Sequence, residues 1–328
     1  MLYRRLGNTG LQVSHLCFGT LSLGPLQNNL SSKDGSEIIF DAFNKGVNLI
    51  DTAEIYGTYP HIKAALQKLN SYNCECKNNC DPLNEPIIIT KSYAYTAEGA
   101  RASVEKAFEE IGIDRISIFM LHEQESRLTL RGHREALEYY LSCKQKGLIK
   151  AVGVSTHNCE VVESCAEMPE IDVIEALVNK DGIGIGDGTI DRMLSAIKKA
   201  YDAGKGIVAM KTLGGGNLFK SYSESINFVK DLPYIHSLAI GMKSSGEVEL
   251  NSLLIEGGQP DAELLAAISS MERRLHVEYW CEGCGKCIKR CKNGALSMAA
   301  GQAEVDRKKC IMCCYCAGVC PVFAIKII

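Results

Sequence analysis

One cysteine pattern occurs twice in the last fifty residues. Cys281-x2-Cys284-x2-Cys287-x3-Cys291 is followed by Cys310-x2-Cys313-x2-Cys316-x3-Cys320-Pro321. Most of the chain's 16 cysteines lie between these ends. The start of the chain, Met-Leu-Tyr-Arg-Arg-Leu-Gly, lacks the apolar core of an export signal. A cytoplasmic location is therefore expected, where thiols stay reduced and clustered cysteines bind metal rather than pair. The repeat extends past the cysteines: Ala295 and Ala324 hold equivalent places, as do Leu296 and Ile325. A segment of about 50 residues with so few apolar side chains is marginal by itself. Metal–thiolate bonds can supply the missing stability. The chain is thus read as a large N-terminal body with a small metal-stapled tail.

The spacing specifies the metal. Three closely spaced thiolates can wrap one face of a cubane cluster while the fourth turns to its neighbour, as in the bacterial two-cluster ferredoxins that this pattern resembles. Cys281, Cys284, Cys287 and Cys320 are assigned to one [4Fe–4S] cluster, and Cys310, Cys313, Cys316 and Cys291 to a second. Structural zinc, the alternative, typically uses separated C-x2-C pairs. Lys292 stands where a proline is expected after the first run, a departure that removes no ligand. Eight Lys/Arg against three Asp/Glu from 281 onward would offset the negative charge of two clusters. Cys314 reads as a packing residue beside the ligands. Cys74, Cys76 and Cys80 form C-x-C-x3-C in a polar insert and lack an obvious fourth ligand, so they read as free thiols. Cys17, Cys143, Cys159 and Cys165 read as packing residues.

Eight short apolar runs occupy residues 15–20, 48–53, 87–92, 116–122, 150–156, 172–179, 206–213 and 237–244. Runs of this length, rich in Val, Ile and Leu, are expected for strands buried on both faces. Helical spacing lies between them. In 102–111, Ala102, Val104, Ala107, Phe108 and Ile111 share one face, while Glu105, Lys106, Glu109 and Glu110 face water. Residues 134–146, 189–201 and 223–229 read alike. Strand and helix alternating eight times predict an α/β fold, a (β/α)8 barrel, followed by a small α+β ferredoxin-like domain. A doubly wound sheet is less favoured, because G-x-G-x-x-G after the first strand is absent. Residues 3–6 and 11–14 flank Gly7-Asn8-Thr9-Gly10, a hairpin suited to plugging the barrel's N-terminal end. The expected domains are a barrel over 1–256, a linker with a helix over 257–276, and the tail over 277–328. The glycine-rich run 182–188 reads as a loop over the mouth.

Barrel chemistry sits at the C-terminal ends of strands. There the sequence places Asp51 and Tyr56 after the second run, Lys91 after the third and His122 after the fourth. Tyr56 can give a proton to a carbonyl oxygen. A free phenol titrates near pH 10 and is a sluggish acid–base group at neutrality. A neighbouring Lys91 ammonium would lower that value. Asp51 would hold Lys91, and His122 would steer the substrate oxygen. Each residue alone has a structural explanation; four at three successive strand ends point to catalysis.

The segments Tyr3-Arg4-Arg5-Leu6-Gly7-Asn8-Thr9-Gly10-Leu11-Gln12-Val13-Ser14, 49–57, Gly153-Val154-Ser155-Thr156 and Ala209-Met210-Lys211-Thr212-Leu213-Gly214-Gly215-Gly216 resemble the aldo-keto reductases. The likeness covers roughly 1–255. With the tail, the chain is similar to the branch that carries a C-terminal ferredoxin-type domain. The resemblance implies a barrel that binds NADH or NADPH and a tetrad of Asp51, Tyr56, Lys91 and His122, with Tyr56 the proton donor. It implies cofactor contacts at Ser155, Thr156, Glu175, Lys211, Lys243 and Ser244. The arginine expected after Lys243-Ser244 is replaced by Glu247 and Glu249. A carboxylate there repels a 2′-phosphate and can accept from a ribose 2′-hydroxyl.

The leading function is an oxidoreductase for a small carbonyl or alcohol, coupled to electron transfer through the clusters. A hydride carries two electrons and a cluster passes one. Direct exchange therefore calls for a flavin, a redox partner protein, or a substrate that accepts single electrons. The alternatives are a carbonyl reductase whose clusters are only structural, and a non-catalytic electron-transfer protein on a relic barrel. A net charge of −3 and pI about 6.2 argue against nucleic acid as partner. No apolar run approaches the ~18–20 residues that span a bilayer.

Overall fold

The computed structural model describes residues 1–75 and 85–328. Strands β1 (Tyr3–Arg5) and β2 (Gln12–Ser14) form the expected antiparallel hairpin. The eight apolar runs become β3 (Leu16–Gly19), β4 (Leu49–Asp51), β5 (Ile87–Ser92), β6 (Ile116–Leu121), β7 (Ile149–Thr156), β8 (Val173–Leu177), β9 (Gly206–Met210) and β10 (Ser237–Gly241). Every neighbouring pair is parallel, and β10 closes on β3 with Leu238 opposite Leu16. The result is a closed eight-stranded barrel, not an open sheet. Several strands stop earlier than their apolar runs, because the residues beyond the last ladder pair turn into the loops of the mouth.

The barrel interior is filled by Leu49, Ile89, Ile118, Met120, Val173 and Val208, packed with Leu6, Leu11 and Val13 of the hairpin. The hairpin therefore plugs the N-terminal end. Its turn requires glycine at Gly7, where φ is +49° and a Cβ would lie 2.4 Å from Gly206 N. Outside the barrel, Ala100, Val104, Ala107 and Ile111 of the helix Ala97–Ile111 are buried in one cluster with Ile88 and Phe119. This is the inward face that the sequence spacing marks.

A helix, Ala262–Ser270, follows the barrel. The tail then begins at β11 (Leu275–Val277), two residues inside the expected linker, because β11 pairs antiparallel with the C-terminal β14 (Ile325–Ile327). A second ribbon joins β12 (Leu296–Ala299) to β13 (Gln302–Val305). Leu275, Leu296, Ala303, Ala317, Ile325 and Ile327 form a small core with Cys287 and Cys316.

The tail docks on the C-terminal mouth of the barrel. Ile327 N donates to Gly215 O at 3.0 Å, and Asn217 Nδ2 donates to Ile325 O at 3.0 Å. Phe323 meets His157 edge to face at 5.9 Å. The 182–188 run lies at this junction: a Cβ on Gly184 would lie 2.9 Å from Phe323 Cγ. Of the Cys74, Cys76 and Cys80 group, Cys76 and Cys80 lie outside the described residues, and Cys74 is in the last turn of the helix Tyr59–Glu75. Among the described residues no helix is long and apolar enough to cross a membrane.

Candidate active site

Three strand ends supply the centre. Asp51 is the last residue of β4, Lys91 lies in β5, and His122 follows β6. Tyr56 ends a short 3-10 turn, Glu54–Tyr56, whose chain reversal uses Gly57 at φ +65°. Lys91 is 1% exposed and forms an ion pair with Asp51. Its ammonium also lies 2.8 Å from Glu175 Oε2 on β8. Lys91 Nζ is 5.7 Å from the centre of the Tyr56 ring, and that ring meets His122 edge to face at 5.7 Å. All four expected tetrad residues therefore converge.

The electrostatics differ from expectation in one respect. Lys91 does pull the Tyr56 phenol down, but burial outweighs it, and Asp51 and Glu175 add to the upward push. The phenol is held above its ordinary value and keeps its proton at neutral pH. Two carboxylates share one ammonium, so Asp51 is pushed up to about 7, by burial first and then by Glu175, against the pull of Lys91. Burial and then Lys91 push His122 down to about 3, so its imidazole is neutral. His122 is stacked on Tyr93 at 4.3 Å, and its Nδ1 is buried without a partner.

Two cavities meet at Tyr56. The larger, about 500 Å³, is walled on the barrel side by Tyr56, Tyr93, His122 and His157. Tyr279, Trp280, Glu282, Pro321, Phe323 and Lys326 of the tail wall the other side. Its size falls in the ~300–1,000 Å³ range of small-molecule sites. The smaller, about 190 Å³, runs from Asp51 and Tyr56 past Lys211, Gly215 and Gly216 to Lys243, Glu247 and Arg273. Tyr93, Glu123, His157, Lys326 and the tail wall escape sequence reasoning. The one available signal is Lys326 itself, a single charge in the apolar run Ala-Ile-Lys-Ile-Ile.

The residues expected at a dinucleotide divide. Ser155 and Thr156 are fully buried. Ser155 Oγ accepts from Glu123 N at 2.8 Å. Thr156 Oγ1 donates to Gln124 O at 2.6 Å and accepts from Asn158 N at 2.9 Å. Glu175 is engaged with Lys91. These three are committed to the protein, which corrects their expected part in holding a carboxamide. Lys211 lines both cavities. Ser244 Oγ caps the helix Ser245–Ile255 by accepting from Glu247 N. Lys243 N donates to the Glu247 carboxylate at 2.8 Å. A buried carboxylate at that end suits a ribose hydroxyl and repels a 2′-phosphate. The tail strand β14 narrows this cleft from outside, since a Cβ on Gly216 would lie 2.0 Å from Ile327 O.

The cysteines gather as assigned. Cys281, Cys284, Cys287 and Cys320 line one cavity. Cys291, Cys310, Cys313 and Cys316 line another, with Cys314 beside them. The two runs repeat in conformation. Gly283 and Met312 are left-handed at φ +64° and +48°, and Gly285 and Cys314 at +70° and +65°. Each fourth cysteine accepts from a backbone N–H at the repeated alanine: Ala295 N to Cys291 Sγ at 3.3 Å, and Ala324 N to Cys320 Sγ at 3.2 Å. Among the described residues no group of three or more His, Cys, Asp or Glu closes around a single ion. A lone zinc would need thiolates about 2.3 Å from one centre. A larger polynuclear group fits sulfurs that face one another across a cavity.

A family model, the aldo/keto reductase family, matches residues 15–250. The chain belongs to the aldo/keto reductase family. It is similar to L-galactose dehydrogenase of Arabidopsis thaliana, 24% identical over 221 residues, 66% of each chain. Other curated relatives carry dehydrogenase and reductase names, and the chain spans about half to two thirds of their length. A separate stretch of 50 residues is 42% identical to one component of an ion-translocating oxidoreductase complex of Methanosarcina acetivorans, 15% of this chain and 19% of that one. The fold matches a Pseudomonas aeruginosa protein described as an aldo-keto reductase, with TM-score 0.63 and 24% identity over 78% of this chain and 94% of that one.

Proposed function

We propose that this chain is an oxidoreductase that interconverts a small carbonyl compound and its alcohol at the barrel mouth, coupled to electron transfer through a tail holding two [4Fe–4S] clusters. One observation carries the reading. The cavity that holds Tyr56 and His122 is closed on its far side by Trp280, Glu282 and Pro321, immediate neighbours of Cys281 and Cys320. A tail serving only as a staple has no need to form the wall of the reacting cavity.

Reduction adds two electrons and two protons to C=O and gives CH–OH. Tyr56 delivers one proton to the oxygen, and its raised affinity keeps that proton available at neutral pH. Lys91 steadies the phenolate left behind, and Asp51 and Glu175 keep Lys91 charged. Neutral His122 hydrogen-bonds the substrate oxygen. Tyr93 and the tail aromatics exclude water, which strengthens these interactions. Oxidation of the alcohol reverses each step. The clusters, held by Cys281, Cys284, Cys287 and Cys320 and by Cys310, Cys313, Cys316 and Cys291, would supply electrons singly.

A second reading is favoured by the 190 Å³ cleft, which leads from Tyr56 to Lys243. Members of this family use NAD(P)H, and NADH would supply both electrons as hydride. Glu247 favours NADH over NADPH there. Anaerobic isolation followed by metal and sulfide analysis decides the cluster assignment: about eight iron and eight sulfide per chain are expected, and stoichiometric zinc without sulfide overturns it. Turnover of Cys320→Ala with reduced viologen then tests the coupling. A fall well beyond any loss of stability is expected. Full activity in a variant that only melts earlier would leave a reductase with structural clusters, and NADH would be its donor.

A further inference from the structure

The 500 Å³ cavity contains a cation that none of the chemistry above uses. Lys326 is 4% exposed, yet it belongs to β14 of the tail and lines the barrel mouth. Its ammonium lies over the Phe323 ring and makes no hydrogen bond or ion pair among the described residues. Lys211, across the same cavity, likewise makes neither. Lys211 is held at φ +60°, a left-handed conformation costly for a side chain of this kind and typical of functional sites. His157 lines the same wall, and its buried Nε2 has no hydrogen-bond partner.

The nearby acids have partners of their own. Glu123 accepts from the Tyr93 hydroxyl and lies 3.7 Å from His157 Nε2. Glu278 lies 3.4 Å from His276 Nε2. A buried ammonium without a counter-charge costs several kcal/mol, and an aromatic face returns about 2 kcal/mol at best. Burial and the repulsion from Lys211 accordingly push Lys326 well below its ordinary value. An anion brought into the cavity would relieve both lysines at once.

We propose that the cavity takes a carbonyl substrate that carries a carboxylate, with Lys326 and Lys211 holding the carboxylate while Tyr56 and His122 address the carbonyl. This rests on the reading that the cavity is the reacting site, and it adds the substrate class: an oxo acid, or the hydroxy acid formed from it. The tail would then complete the substrate site as well as close it. Lys326 abuts the Gly215 loop, so the same positive charge could instead serve a dinucleotide phosphate in the neighbouring cleft. The experiment separates the two sources.

Oxalate, a dianion without a reducible carbonyl, is titrated calorimetrically into the anaerobically isolated holoprotein, alongside neutral oxamide and ADP-ribose. Oxalate is expected to bind and oxamide not. Lys326→Met, close in length and apolar, should weaken oxalate at least tenfold and leave ADP-ribose unchanged. Lys211→Met serves as a second variant if Lys326→Met does not fold. Failure of oxalate to bind the wild type, unchanged oxalate affinity in the variant, or a loss confined to ADP-ribose overturns the proposal. In turnover, Lys326→Met should lower kcat/KM for glyoxylate at least tenfold more than for neutral glycolaldehyde. If the wild type reduces neither, the reaction assigned to the site fails, while the oxalate titration still judges the anion site.

Discussion

Glu175→Gln tests the electrostatic account of the centre. Asp51 and Glu175 both contact Lys91. Two carboxylates bonded to one ammonium lie roughly 5 Å apart, and unit charges at that separation repel by about 3 kcal/mol at an effective dielectric of 20. That equals about two pKa units. Asp51, now pushed up to about 7, should fall to about 5 when the Glu175 charge is removed. The sign of the linked stability follows. A carboxyl with its folded pKa above its unfolded value binds its proton more tightly in the folded state. Stability is therefore lost as pH rises from about 4 to about 7 and is flat above that. Between pH 5 and pH 8 the wild type should lose about 2 kcal/mol more from Asp51 than the variant does. For a chain of this length that corresponds to a difference of about 3 °C in melting temperature. The assay is anaerobic thermal unfolding of both proteins at pH 5 and pH 8, with the variant's change subtracted from that of the wild type. Equal pH dependence in the two would show that Glu175 does not act on Asp51. A steeper dependence in the variant would reverse the assigned sign.

Two further outcomes are expected. Tyr56→Phe keeps the ring and loses only the proton, so the fold and metal content should persist while carbonyl turnover falls about 10²–10⁴-fold; wild-type rates would remove Tyr56 from the mechanism. Gly216→Ala places a methyl 2.0 Å from Ile327 O at a residue of φ +82°. It should lift β14 from the barrel, seen as faster proteolysis of the tail, and unchanged protection would mean that the tail is not held at this contact.

The barrel is legible because burial on both faces writes itself as uninterrupted apolar runs, and the tetrad because polar residues break those runs at their ends. The cysteine loops are legible through spacing alone, and the structure adds their matched left-handed turns at Gly283 and Met312. Cys314 reads as filler from its neighbours in sequence; its left-handed conformation at the place held by Gly285 shows that the backbone there is set by the loop, not by packing. The misreadings at Ser155, Thr156 and Glu175 have a common cause. Position in a strand shows which residues face the mouth, but not whether their hydrogen bonds are already taken by neighbours such as Glu123 N, Gln124 O and Lys91. The contribution of the tail is not readable, because nothing local in 321–328 shows that Phe323 and Lys326 lie against β7 and β9 loops far earlier in the chain.

This placement ties the structural role of the tail to its chemical role. The tail core is small, and its buried set includes Cys287 and Cys316, so loss of metal at these thiols would loosen the tail before the barrel. The wall formed by Trp280, Pro321 and Phe323 would go with it. Loss of metal should then open the cavity around Tyr56 and His122 to water, weakening hydrogen bonds that depend on a dry site. Some loss of carbonyl turnover on metal removal is thus expected even if no electron passes through the tail. What separates electron transfer from closure is the donor. Opening the cavity lowers turnover with every donor alike. An interrupted electron path lowers turnover with a one-electron donor and spares the reaction driven by NADH.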